Sequence, residues 1–116
     1  MKHEESIIQR NCIKWFRYQY PSLSRILFAV PNGGRRGRIE AAIMKAEGVV
    51  AGVSDLILLY PSGEYHALCI EMKTEKGRQQ DSQKEFQQAV ERFGYKYAVC
   101  RSLDDFRIVV NEYIRA

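Results

Sequence analysis

Apolar residues recur along this chain with two periods, and the changes between them divide it into elements. From about Glu4 to Tyr20, Ile8, Cys12, Trp15 and Phe16 fall at helical spacing, and Pro21 stops the run. Arg25 to Val30 is a short apolar run suited to a strand, ended by Pro31-Asn32-Gly33-Gly34. Ala41, Ala42, Met44 and Ala46 predict a second helix from about Arg38 to Glu47, with Gly48 as its stop. Leu56 to Tyr60 and Tyr65 to Met72 read as two strands joined through Pro61-Ser62-Gly63 in an antiparallel hairpin. Both are apolar on both faces, so both are expected to be central and covered by helices. Ser82 and Glu85 form a capping box that opens a third helix, burying Phe86, Val90 and Phe93 and ended by Gly94. Tyr95 to Cys100 is a further strand, and Ser102 caps a last helix carrying Phe106, Val109, Val110 and Tyr113. Such alternation predicts an α/β fold, a mixed central sheet with helices on both faces, in a single domain over residues 1–116.

Composition adds constraints. An apolar share of 46% and a charged share of 28% are those of a soluble globular chain. No apolar run is long enough to span a bilayer, so no membrane partner is expected. Lys2, His3, Glu4 and Glu5 do not resemble a secretory signal. The three cysteines, Cys12, Cys69 and Cys100, lie far apart in apolar stretches without a C-x-x-C pair, which predicts buried free thiols and a cytoplasmic location. The net charge of +4 fits a nucleic-acid partner. Its distribution says more than the total. Arg35, Arg36 and Arg38 follow the Gly33-Gly34 pair, and Lys73, Lys76 and Arg78 follow Glu71.

The candidate chemistry sits on the hairpin. A charged side chain costs several kcal/mol to bury unless it is paired or holds a metal. Asp55 stands at the mouth of one apolar strand and Glu71 near the end of the other. Alternation places Ala67, Cys69, Glu71 and Lys73 on one face. Whether Asp55 joins them depends on register. Pairing Tyr60 with Glu64 makes Asp55 a diagonal neighbour of Glu71, and pairing Tyr60 with His66 sets the two acids opposite each other. Pairing Tyr60 with Tyr65 turns them to opposite faces unless a bulge intervenes. Two carboxylates brought together repel unless a cation lies between them, and hard oxygen ligands favour Mg²⁺ or Mn²⁺. Lys73 reaches the same face and can orient an attacking water or offset charge on a phosphate.

Gly52-Val53-Ser54-Asp55 followed by Glu71-Met72-Lys73 resembles the PD-(D/E)xK nuclease signature, with Ser54 in place of the usual Pro. That position shapes the turn and ligates nothing. More narrowly, the chain is similar to the stand-alone VRR-NUC family over nearly its whole length. The matching features are Glu5 with Gln9, Pro31 to Gly34, Gly52 to Asp55, Glu71-Met72-Lys73 and Gln83. The resemblance implies a restriction-endonuclease-like core. It also implies Asp55, Glu71 and the Met72 carbonyl as ligands of Mg²⁺ or Mn²⁺, Lys73 positioning the water, and no organic cofactor. Glu5 would complete the metal site, directly or through water, and Gln83 would help hold Lys73 or the phosphate. The implied reaction is hydrolysis of DNA phosphodiester bonds by a homodimer acting on branched DNA such as four-way Holliday junctions.

Glu5, Ile8, Gln9, Cys12 and Phe16 follow one helical stripe, which favours Glu5, though Glu4 lies one step round and stays an alternative. Asn32, Gly33, Gly34, Arg35, Arg36, Arg38, Lys76 and Arg78 are the candidate DNA contacts. Plainer readings exist for each residue. Asp55 could cap a turn, Glu71 and Lys73 could be an exposed cross-strand charge pair, and Gln83 could be an ordinary first-turn residue. Trp15 and Phe16 read as core or dimer contacts, and His3 and His66 as surface residues. The competing functions are a non-catalytic DNA-binding module with a nuclease fold and a restriction-type endonuclease.

Overall fold

The computed structural model describes residues 2–31 and 37–116. Helix α1 spans Lys2–Gln19, and a single 3₁₀ turn at Pro21–Leu23 leads into strand β1, Leu27–Ala29. Helix α2 covers Arg38–Ala46, followed by strands β2, Leu56–Leu58, and β3, Leu68–Met72. Helix α3, Asp81–Arg92, connects β3 to strand β4, Lys96–Cys100, and helix α4 runs over Leu103–Arg115. The four strands lie in the order β1-β2-β3-β4. The first three are antiparallel neighbours, and β4 runs parallel to β3, as a strand-helix-strand crossover requires.

Each face of the sheet has a different chemistry. Leu56, Leu58, Leu68, Ile70, Met72 and Cys100 meet Cys12 and Phe16 of α1 and Phe106, Val110 and Tyr113 of α4 in one apolar core. Tyr20 and Tyr113 tie this layer together, the Tyr20 hydroxyl donating to Asn111 Oδ1 and the Tyr113 hydroxyl to the Tyr60 carbonyl. Residues alternate along a strand, so Cys69, Glu71 and Lys73 turn to the other face, where Tyr97 of β4 meets Phe86 of α3.

Three sequence expectations are corrected here. The strands are shorter than the apolar runs, because Tyr65 makes only an isolated bridge to Ser62 before regular pairing starts at Leu68. Helix α3 opens on Gln80, whose backbone N–H donates to Gln83 Oε1 at 2.8 Å, and not on the Ser82/Glu85 box. The helix thus begins earlier, and Gln83 takes the reciprocal position that Glu85 was expected to hold. Phe93 is 67% exposed, since α3 ends there, whereas Phe86 and Val90 are half-buried.

Candidate active site

Strand register brings the acids together. Leu56 pairs with Ile70, Ile57 with Cys69 and Leu58 with Leu68. Continued outward, this register sets Asp55 opposite Glu71 and Tyr60 opposite His66, one of the three arrangements open to the sequence. Asp55 is locked there by the Met72 backbone N–H, which donates to its Oδ2 at 2.7 Å. Ser54 stays fully buried, its hydroxyl donating to the Leu56 carbonyl at 3.2 Å. The signature's departure from proline is thus accommodated as a turn residue.

Glu71 is 2% exposed and Lys73 6%. Neither is an exposed cross-strand charge. Lys73 Nζ lies 4.0 Å from Glu71 Oε2, to which the Gln83 side-chain amide also donates at 2.8 Å. The Tyr97 hydroxyl donates to Glu71 Oε1 at 3.4 Å and itself receives a hydrogen bond from Gln79. Burial, reinforced by the neighbouring Asp55 carboxylate, pushes Glu71 up to about 8 against the opposing pull of Lys73 and Tyr97. Burial first, with Glu71 adding to it, pushes Tyr97 up to about 12. The centre is thus short of positive charge when its two acids are both ionised.

A divalent cation fits that deficit. Two hard carboxylates and a backbone carbonyl are a short protein donor set, which suits Mg²⁺ or Mn²⁺ because such ions keep several waters. Among the described residues, no group of three His, Cys, Asp or Glu side chains is gathered that could hold a metal. Glu5 is therefore not gathered with Asp55 and Glu71 as a third direct ligand. The reason is topological: α1 packs on the apolar face, and the acids look out from the other. Glu5 is half-buried on α1 and Glu4 exposed, in line with the stripe that favoured Glu5 as the inward acid.

Of the remaining candidates, Arg38 opens α2, and Lys76 and Arg78 are exposed in the loop after β3. Asn32, Gly33, Gly34, Arg35 and Arg36 lie outside the described residues. The sequence reading missed three contributors. Tyr97 is placed by parallel pairing opposite Cys69, and Gln79 steers its hydroxyl. Arg101 is the third: its Nη1 donates to the carbonyls of Thr74, Glu75 and Gly77 at 2.8, 3.2 and 2.6 Å. These bonds curl the loop back so that Gly77 covers the Lys73 stem, a Cβ there lying 3.5 Å from Lys73 Cδ. An Arg just past the end of β4 is a faint sequence signal, because nothing in the pattern links it to residues 74–77.

The comparisons with known proteins agree with this fold. The model of the VRR-NUC domain family matches residues 3–104. A solved structure of a "VRR_NUC domain protein" is similar to this chain at 30% identity and a TM-score of 0.85, over 96% of this chain and 88% of that one. A search of curated proteins finds no match.

Proposed function

Since the chain belongs to the VRR-NUC domain family, whose fold is of the nuclease type, we propose that it is a divalent-metal-dependent DNA endonuclease acting on branched DNA such as Holliday junctions. The observation that carries this reading is the meeting of Asp55 and Glu71 across paired strands with Lys73 beside them. A structural ion pair needs one acid for one base. Here one buried ammonium faces two acids, Glu71 buried and Asp55 half-buried.

Asp55, Glu71 and the Met72 carbonyl are the residues that would hold Mg²⁺ or Mn²⁺. The ion supplies Lewis-acid polarisation and makes water a stronger nucleophile at neutral pH. The chain's own groups do the positioning. The Met72 N–H fixes the Asp55 carboxylate, and the Gln83 amide fixes Glu71. Lys73, its stem covered by the Arg101-held loop, orients the attacking water and offsets charge that builds on the phosphate. Water attacks phosphorus in line with the 3′ oxygen, the P–O3′ bond breaks, and the products are a 3′ hydroxyl and a 5′ phosphate.

The proposal includes a homodimer, because two equivalent cuts across a junction call for two sites related by a twofold axis. It includes the cytoplasm as the working compartment, consistent with three cysteines that are free and buried. Among the described residues, no helix is long and apolar enough to cross a membrane. The deciding experiment incubates the purified chain with four-way junction, flap, single-stranded and duplex DNA in Mg²⁺ or Mn²⁺. Cleavage of branched DNA ahead of duplex is expected. All four left intact in both ions would sink the enzyme reading and favour a non-catalytic DNA-binding module.

A further inference from the structure

Helix α2, the turn through residues 48–53 and the start of α3 border an open-sided cavity of about 480 Å³. That volume lies within the roughly 300–1,000 Å³ of sites that take small organic groups. Its lining is divided. Met44, Val49 and Val50 contribute apolar wall, Lys45 a cation, and Asp55 and Gln83 belong equally to the carboxylate centre. Whatever fills this space therefore lies next to the bond being cut.

We infer that the cavity takes one unpaired nucleobase of the strand undergoing cleavage, an inference that rests on the nuclease reading above. A phosphate would find donors only on the Lys45, Gln80, Ser82 and Gln83 side and would leave the aliphatic wall of Met44, Val49 and Val50 unmatched. A base presents apolar faces to such a wall and a polar edge to the polar residues Gln80, Ser82 and Gln83, which line the same space. Lys45, which lines the same space, supplies a cation for the backbone phosphate of that nucleotide. Val49 and Val50 are 42% and 58% exposed, apolar surface that an inserted base would cover.

The inference gives the preference for branched DNA a cause. A base inside a duplex cannot reach a pocket without unstacking, and the cost of that is least where the strand is already single. A flap offers such a nucleotide outright, and the crossover point of a junction, where stacking is interrupted, lowers the cost of freeing one; the interior of an intact duplex does neither.

The test uses a flap DNA carrying 2-aminopurine as its first unpaired nucleotide, bound to the full chain in EDTA and titrated with acrylamide. Binding is followed separately by anisotropy. Wild type should protect the fluorescent base from the quencher about threefold or more. Ala41→Trp and Val49→Trp, each filling the cavity, should abolish protection while anisotropy still reports bound DNA. In Mn²⁺, replacing that nucleotide by an abasic residue should lower wild-type kcat/KM about tenfold, in the range expected for losing one well-packed base. No protection by bound wild type, or full protection retained in a DNA-binding variant, overturns the inference. Equal cleavage of intact and abasic flaps does so too. If wild type cuts no DNA, the nuclease reading fails, and the quenching result still decides the pocket.

Discussion

At the scale of single residues, three side chains with one charge too many of one sign set the behaviour of the centre. Glu71 has its folded-state pKa raised from 4.5 to about 8. In the unfolded chain it loses its proton near 4.5, while in the folded, metal-free protein it keeps it until about 8. Between those values the folded state binds more protons, so stability is full below the window, falls as pH rises through it and levels off above. Thermal unfolding of the metal-free protein should show that decline, and Glu71→Gln should flatten it; equal slopes would refute the assignment. Mn²⁺ should raise the wild-type Tm more at pH 8 than at pH 5, because its binding displaces the retained proton. Lys73→Ala should keep junction binding and lose cleavage by roughly 100-fold or more, the scale of removing one charge-stabilising donor. Asp55→Asn should weaken Mn²⁺ in calorimetry by more than Glu5→Gln does, since Glu5 lies outside the pair; the reverse order would restore Glu5 to the first rank.

At the scale of elements, two contacts hold the centre's parts in place. Gly52 has φ +85°, and a Cβ there would lie 2.2 Å from the Ser82 carbonyl oxygen. Only glycine lets the loop before Asp55 pass so close to the start of α3, which carries Gln83. Gly52→Ala adds about 1–3 kcal/mol of backbone strain before any clash is counted. It should lower the Tm by roughly 4 °C or more and weaken Mn²⁺ binding together, a joint loss that a substitution elsewhere on the surface would not give. Arg101 acts at the other end of the site. Arg101→Met leaves three carbonyls of the 74–77 loop without their donor. Hydrogen exchange at 74–77 should accelerate while the α4 amides stay protected; unchanged exchange would deny the clamp.

At the scale of the whole molecule, charge and assembly decide how DNA is met. Lys76→Ala and Arg78→Ala should each reduce the slope of log affinity against log salt by about 1 if each touches a phosphate. A slope that stays put would remove that residue from the contact set. Light scattering should return twice the 13.5 kDa of one chain. The mass of a single chain would count against paired incision of a junction.

Most elements were legible because their periods are strong. The stripe of Ile8, Cys12 and Phe16, the apolar hairpin, and Ser102, whose hydroxyl accepts from Asp105 N–H, all follow from local preference. Boundaries failed where the pattern was least specific. Ser82 and Glu85 satisfy the capping rule better than Gln80 and Gln83 do, although the fold uses the latter pair, and Phe93 ends an apolar stripe just where the covering layer stops. Local order in the chain thus set which acids and which amine could act, since residue type and alternation need no distant partner. Whether they face each other was decided by the pairing of Leu56 with Ile70, and a one-residue slip at the turn would have set them on opposite faces. The loop clamp by Arg101 and the separation of Glu5 from direct ligation belong to the fold for the same reason: both depend on which layer lies over which face of the sheet, a long-range outcome of burying the apolar side.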